Sequence, residues 1–554
     1  NVAYYQMRPR EATMKSDVID FDLSYSGESF TFDAQIGKTE SSGGTDFEVV
    51  VDESTGGIPI NGGTYDFTGG HQTWNLGNGI GAGGATYSNY VPPGLTMGTG
   101  GNFNKTPKED EEQYIQADLT FDVEYGAVTS IKTGVRMSEH ETRSTRVLFL
   151  QDPSFNTTLP TSGLGTSLID VGAGSYQITR FDPEAIKAWA RSSIIGEQED
   201  LGSHSEILED NMSVYVMANY STENAKGNFG LRYVTTDATA VYYAPQATTS
   251  SKAKADYDEF LPSFNLRLNL ADNVIFRTSA ARVMARPDYV DMYVNPNLTG
   301  VNDDLPNNQR WIVGNVGLKP FVANQFDFGV EWYFDDNSYF SAGVFFKDVK
   351  NFVTFTDRAP LPGETPFNFD SAHTCTAPTV CESTVGFIVQ EKQNGEDAEI
   401  SGYELQFQKG FDNGFGTIIN YTYTDTSTSE DTFVDRNPYL SDSSRHATNL
   451  IGYYENEVFS VRLAYNWRSE YMLREVGAYG NRLHDDYGTL DMSAVWHVTD
   501  YLDVKFSANN LTEESSVQKG NNNFYSNYTG FTRGFPLYEY EMARIFSIGA
   551  SVRF

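Results

Sequence analysis

Catalysis needs a nucleophile, a base or a metal held among partners at a fixed spacing, and the 554 residues of this chain supply no such pattern. There is no glycine-rich phosphate loop, no HExxH and no paired CxxC. The 7 histidines are scattered; His140, His204 and His373 stand too far apart to suggest a metal site and read as solvated loop residues. What the chain offers is recognition chemistry: aromatic faces that can stack on sugar rings, beside carboxylates, amides and guanidinium groups that can bond hydroxyls. These side chains gather in four stretches. Trp74, Tyr87 and Tyr90 share a Gly-rich run from Gly43 to Lys108, and Tyr289, Tyr293, Asp303, Asp304, Arg310 and Trp311 form the next cluster. Tyr471, Tyr479 and Arg482 make a third, and Asn522, Tyr525, Tyr528 and Arg533 a fourth. For any single one of them, packing the loop is a more ordinary role than touching ligand. The expectation is binding without bond-making, so not an enzyme, with no cofactor and no metal.

Composition narrows what can position such clusters. Tyr (34) and Phe (37) are abundant and Gly reaches 49 against only 2 Cys, a mixture that favours strands joined by turns and loops. No apolar run approaches the ~20 residues of a spanning helix, and mean hydropathy is -0.43, a value that alternating membrane strands also produce. The formal charge of -35 excludes DNA or RNA as a partner, because phosphate binding needs a cationic surface. Such acidity suits long solvated loops, or solubility alone. Asn1 opens a polar stretch without the apolar core of a signal peptide, so for an exported protein the start of the gene product is expected upstream.

Two-residue periodicity runs through nearly the whole chain. From Glu111 to Tyr125, Ile115, Ala117, Leu119, Phe121, Val123 and Tyr125 alternate with Gln116, Asp118, Thr120, Asp122 and Glu124. One greasy and one wet face define the strand. After Gly126, Val128 to Arg143 repeats the habit with Ser130, Lys132, Gly134 and Arg136 on the wet side, giving a hairpin. The unit recurs at Ile19–Tyr25 with Phe30–Ile36, Met212–Tyr220 with Asn228–Tyr242, and Phe260–Leu270 with Val274–Met284. Further copies are Gln325–Phe334 with Tyr339–Phe355, Glu399–Phe411 with Gly416–Thr424, Ala447–Tyr454 with Val458–Trp467, and Thr489–Val498 with Leu502–Asn510. A closing strand, Ile545–Phe554, brings the total to about 17, each near the length a tilted membrane strand requires. Within hairpins the connections are short, as at Ser26-Gly27-Glu28, Asp272-Asn273 and Thr499-Asp500, and between them they are long. That alternation predicts an all-β fold, a transmembrane antiparallel up-and-down β-barrel with its short turns in the periplasm; a soluble β-sandwich is the competing reading. Tyr125, Trp332, Tyr333, Trp496 and Tyr501, near hairpin ends, are expected in the interfacial girdle.

The stretches YDEFLPSF (Tyr257–Phe264), SAARVMARP (Ser279–Pro287), GNVGLKPFVANQFDFGVEWYF onward (Gly314–Lys350), ISGYEL (Ile400–Leu405), NYTYT (Asn420–Thr424), ANNLTE (Ala508–Glu513) and the terminal SVRF resemble TonB-dependent receptors, especially a large subfamily of glycan-degrading proteobacteria. The resemblance implies a cell outer-membrane location, contact with outer-membrane lipids, and a barrel of about 22 strands around an N-terminal plug. Counted back from Phe554, residues 1–554 then form a partial, C-terminal part of the barrel domain, without the plug, the TonB box and about five leading strands. Either such strands accompany the chain, or the segment near Ile19 pairs directly with Ile545–Phe554.

Two further expectations concern the outward loops. Cys375 and Cys381, between strands that the parity count sends outward, should form a local disulfide in an oxidising exterior, with a metal or redox pair as the alternative. Asp182-Pro183-Glu184 reads as an N-cap with Pro at the first helical position, opening a helix over Ala185–Ile195 whose Ile186, Trp189 and Ala190 form one apolar stripe. A surface lipoprotein is a conceivable partner for that helix, and nothing in the sequence selects it. The resemblance implies active nutrient uptake driven by a TonB-type energy-transducing protein, with an oligosaccharide ligand ahead of a ferric siderophore or other metal chelate. A passive porin-like channel or a surface adhesin is the alternative from another class.

Overall fold

The structure is a computed structural model. It describes residues 2–553 apart from 4, 55–57, 60–63, 67–72, 76–90, 98–101, 172–175, 245–246, 295–308, 361–386, 396, 429–439, 441, 474–481, 521–533 and 535. Among these, the alternating segments pair into one antiparallel meander of eight hairpins and a last strand, seventeen strands forming a barrel wall. The strands are β1 (Lys15–Ser26), β2 (Phe30–Val49), β3 (Phe103–Tyr125), β4 (Val128–Ser144), β5 (Ser205–Ser221), β6 (Ala225–Tyr242), β7 (Ser251–Ala271), β8 (Val274–Ala285) and β9 (Phe321–Asp335). The series continues with β10 (Ser338–Lys350), β11 (Ala398–Gly410), β12 (Phe415–Thr428), β13 (His446–Glu455), β14 (Phe459–Arg468), β15 (Tyr487–Thr499), β16 (Leu502–Asn509) and β17 (Ile545–Val552). Each pairs with its neighbours in this order. Among the described residues β1 pairs only with β2 and β17 only with β16, and both strands are largely exposed, so no ladder among them joins the segment near Ile19 to Ile545–Val552.

Exposure alternates along these strands as a two-faced wall requires: Ile115, Phe121, Met212, Val214 and Val216 are exposed, whereas Asp118, opposite Gly134 in the β3–β4 ladder, is buried; Asp122 and Glu124, of the same parity as Asp118 but near the turn, are exposed. All eight hairpin turns lie on one rim, and Gly126 turns β3 into β4 at φ +61, a conformation costly for residues carrying a Cβ. Tyr333 departs from the girdle expectation: two residues on from inward-facing Glu331, its hydroxyl donates to Glu331 Oε2 at 2.9 Å.

At the other rim the strands outrun the membrane. β2, β3 and β7 have 20, 23 and 21 residues, about twice the span of the ~25 Å apolar band, so part of the expected loop from Gly43 to Lys108 is strand. Beyond Ile36 and Ile115 the outward face becomes charged: Asp17, Glu40, Glu111 and Glu141 lie directly opposite one another on four adjacent strands. Lys38 holds Glu40 and Glu111, and Arg143 holds Glu141 and Glu109, which offsets the repulsion. The β7–β8 ladder stops at the Ser263–Ala281 pair, just where Pro262 lacks an N–H to continue it. Tyr339–Phe355 is not one strand, because Asn351 at φ 63 ends β10.

Above β2–β4 the loops build a satellite core of Phe47, Val49, Leu95, Phe181, Ile186 and Ala190. Helix α1 (Pro183–Arg191) caps it, with Asp182 Oδ1 accepting from Glu184 N at 2.9 Å. It ends before the expected Ile195, since Ile194–Glu199 pairs instead with Val147–Gln151. Glu11 clasps the helix through Lys187 (2.8 Å) and Arg191 (2.5 Å), and those bonds, Arg191's first, hold its carboxyl down to about 2.

Candidate functional site

Strand β5 crosses the upper inner wall with Tyr215, Ser213, Asn211 and Glu209 facing inward, alternate residues rising ~6.8 Å per step toward the outer rim. Each holds a partner from a different element. Tyr215 donates to Asp118 Oδ1 on β3 at 2.6 Å, and Gln116 Nε2 and Lys132 Nζ reach the same carboxylate at 2.7 and 3.7 Å. Only glycine fits opposite: a Cβ on Gly134 would stand 2.0 Å from Asp118 Oδ1. Ser213 Oγ accepts from Arg232 Nη2 at 3.1 Å, and the Arg232 guanidinium lies 5.5 Å from the Tyr215 ring centre. Asn211 Oδ1 accepts from Arg286 Nη2 and from Thr236 Oγ1, both at 2.7 Å. At the top, Glu209 Oε2 accepts from the Tyr289 hydroxyl at 2.9 Å.

Tyr289 also meets His140 Nδ1, while His140 Nε2 lies 2.9 Å from Asp110 Oδ2. The carboxylate can only accept and the tyrosine proton is committed to Glu209, so all three bonds form together when both imidazole nitrogens carry hydrogen. His140 is thus a wall residue and not a solvated loop histidine. Burial, reinforced by the nearby Glu209 charge, holds the Tyr289 hydroxyl protonated well above the ordinary tyrosine range. Helix α2 (Tyr289–Met292) carries this tyrosine, and the GNVGLKP stretch fixes the helix. Met292 packs with Val316, Leu318 and Ile207, and buried Asp291 pairs with Lys392 at 2.9 Å. Gly314 N donates to Tyr293 O at 3.0 Å, an approach that a Cβ at Gly314 would block.

The column borders a cavity of about 700 Å³. Arg136, Arg232, Arg282 and Arg286 line it against Glu112 and Glu209, a local cationic excess in an acidic chain. Arg136 is paired with Glu112 (3.3 Å), and Arg282 reaches Glu259 (2.9 Å) across the gap where β7 and β8 separate. Arg232 and Arg286 are held by neutral oxygens, and among the described residues neither has a carboxylate within ion-pair distance. Glu209 Oε1 and Arg232 Nε are buried without a hydrogen-bond partner. A cavity of similar size, about 720 Å³, lies lower on the wall beside the short turns and includes Gly329, Gly343 and Arg277, away from the outer mouth.

Of the ligand-binding candidates singled out in the sequence, Tyr289 is, among the described residues, the one that lines this cavity, beside Arg136 and His140. Tyr293 is the C-cap of α2, and Arg482 belongs to a separate small sheet, donating to Gln518 Oε1 at 3.0 Å with its guanidinium 5.7 Å from the Tyr538 ring. In the same sheet Tyr471 stacks on His484 at 5.0 Å. Trp74 sits in a two-stranded ladder opposite Tyr65, and Arg310 and Trp311 in a strand parallel to Phe387–Asn394; only their backbone is described. Tyr87, Tyr90, Asp303, Asp304, Tyr479, Asn522, Tyr525, Tyr528, Arg533, His373 and the Cys375–Cys381 pair lie outside the described residues. Sequence reading passed over Glu209, Arg232 and Arg286. The signal for Arg232 was parity, since it alternates with apolar residues on the identified strand Asn228–Tyr242; Glu209 lies before the expected start of its strand at Met212.

Compared with known proteins, the chain matches the family model described as TonB dependent receptor-like, beta-barrel, over residues 51–511. Its fold is similar to the ferric-catecholate import receptor Fiu of E. coli K12 in its closed form (TM-score 0.58, 13% identity, covering 99% of this chain and 65% of that one). It also resembles the siderophore receptor PiuA of Acinetobacter baumannii (0.59, 13%, 98% and 65%) and the copper transporter OprC (0.52, 14%, 98% and 72%). The chain thus spans about two thirds of the length of these structures, slightly less for the first two. No curated protein sequence matches it.

Proposed function

The chain belongs to the TonB-dependent receptors through its β-barrel, and on that premise we propose that it is the wall of an outer-membrane importer whose cargo is an oligosaccharide. The observation that carries this reading is the cavity on the upper inner wall. Tyr215, Tyr289, Ser138, Ser213, Asn211, Glu112 and Glu209 bring hydroxyl, amide and carboxylate groups to one concave surface, the mixture that recognises a polyhydroxylated solute. Aromatic loop residues such as Trp74 and Trp311 capture the ligand first, and the wall holds it. Release inward follows when a TonB-type protein, energised from the inner membrane, pulls on a plug domain.

Calorimetry of the full-length receptor against a glycan panel, with a ferric siderophore as control, tests the reading. Trp311→Ala should weaken glycan binding by ~1–3 kcal/mol if this residue anchors the ligand. Binding of the iron chelate alone overturns the oligosaccharide assignment. The chelate is the second reading, favoured by the arginines of the cavity, which suit an anionic complex, and by the cargo named for the receptors Fiu and PiuA.

A further inference from the structure

We infer that Arg232 and Arg286, with Glu209 above them, form a subsite for a carboxylate that carries a neighbouring hydroxyl. The inference deepens the oligosaccharide reading and rests on it for the source of that group, a uronic-acid residue. A hydroxycarboxylate iron chelate presents the same chemistry.

Four observations converge. Arg232 and Arg286 bind Ser213 and Asn211, alternate inward residues of β5, so two guanidinium groups are presented at successive levels of one wall. Neutral oxygens position them, and among the described residues neither has an ion-pair partner. The nearby acids have other partners: Glu112 is bound by Arg136, Glu259 by Arg282, and Asp118 by Tyr215 and Lys132. A cation left unpaired in a wall where other arginines are paired is poised for an anion from outside.

Glu209 supplies the second half of the recognition. It is 2% exposed, and Tyr289 occupies one carboxylate oxygen while the other has no partner. That oxygen can accept from a ligand hydroxyl, and Arg232 Nε is a matching unused donor. A phosphate dianion would bring a doubled charge toward Glu209; a monoanionic carboxylate flanked by a hydroxyl satisfies both halves. At a net charge of -35 the chain does not attract anions over long range, so the pair acts in short-range selection.

The test is calorimetry of full-length receptor with oligogalacturonate, its fully methyl-esterified form and ferric citrate, for the parent protein and for Arg232→Gln and Arg286→Gln. Heat-modifiable gel migration verifies that each variant is folded. The free acid should bind about 10- to 100-fold tighter than the ester, the worth of one or two hydrogen bonds to a charged group, and each variant should remove that preference. Equal binding of acid and ester, or a preference that survives both substitutions, overturns the subsite and leaves the oligosaccharide reading standing. Binding of ferric citrate alone, lost in both variants, sustains the subsite and overturns the sugar as cargo. Binding of none of the three overturns the subsite.

Discussion

Leu119→Arg tests the wall's orientation directly. On β3 the outward residues run from Ile115 to Tyr125 at the turn, and beyond Ile115 the outward positions Gln113 and Glu111 are polar. At ~3.3 Å per residue and a tilt near 40°, each residue climbs ~2.5 Å, so this run spans the ~25 Å apolar band and Leu119 lies ~10 Å below its upper edge, near the midplane. A cation there should cost ~2–4 kcal/mol, roughly a 30- to 800-fold drop in the folding equilibrium constant. Asp122→Arg, three residues away on the inner face and opposite Ser130, is the control and should change little. Guanidinium titration of the receptor refolded into lipid vesicles, followed by tryptophan fluorescence, measures both. Equal costs for the two substitutions would refute the assignment of faces.

Three further outcomes follow from particular contacts. Gly134→Val places a Cβ 2.0 Å from Asp118 Oδ1 and 2.7 Å from the Tyr215 ring, so it should cost ~1–3 kcal/mol by overpacking in the same titration. Tyr289→Phe removes the hydrogen bond on which buried Glu209 depends and should cost ~1–3 kcal/mol locally, seen as faster hydrogen exchange across α2 and at Glu209; unchanged exchange would count against it. Glu11 has a folded-state pKa of about 2, below the ordinary carboxylate value of 4.5, so its clasp on α1 is fully present above about pH 4.5 and fades as pH falls toward 2. The protection factors of residues 183–191, with the intrinsic pH dependence of amide exchange divided out, should therefore be lower at about pH 3 than at about pH 6, and Glu11→Gln should abolish that difference.

The sequence by itself determined the strands, the hairpin turns and the two faces of the wall. Strand periodicity is local, and a one-residue slip would carry every greasy side chain to the wrong side, so the pattern over Glu111–Tyr125 fixes its own orientation. Extended strands escaped that reading because above the membrane the outward residues turn polar, and a strand with two wet faces looks like a loop. Which inward residues meet was decided only by the tertiary structure. Tyr215 reaches Asp118 across 97 residues of chain and His140 reaches Tyr289 across 149, and no spacing in the sequence encodes either pair. The loop aromatics were conspicuous because aromatic clusters are visible by composition. The cationic cavity was not, since its arginines come from three strands and the segment after β8, inside a chain whose overall charge has the opposite sign. Register between long strands, the halt of the β7–β8 ladder at Pro262 and the seat of α2 on the GNVGLKP turn brought them to one surface. Those are non-local pairings, set by which strand lies beside which.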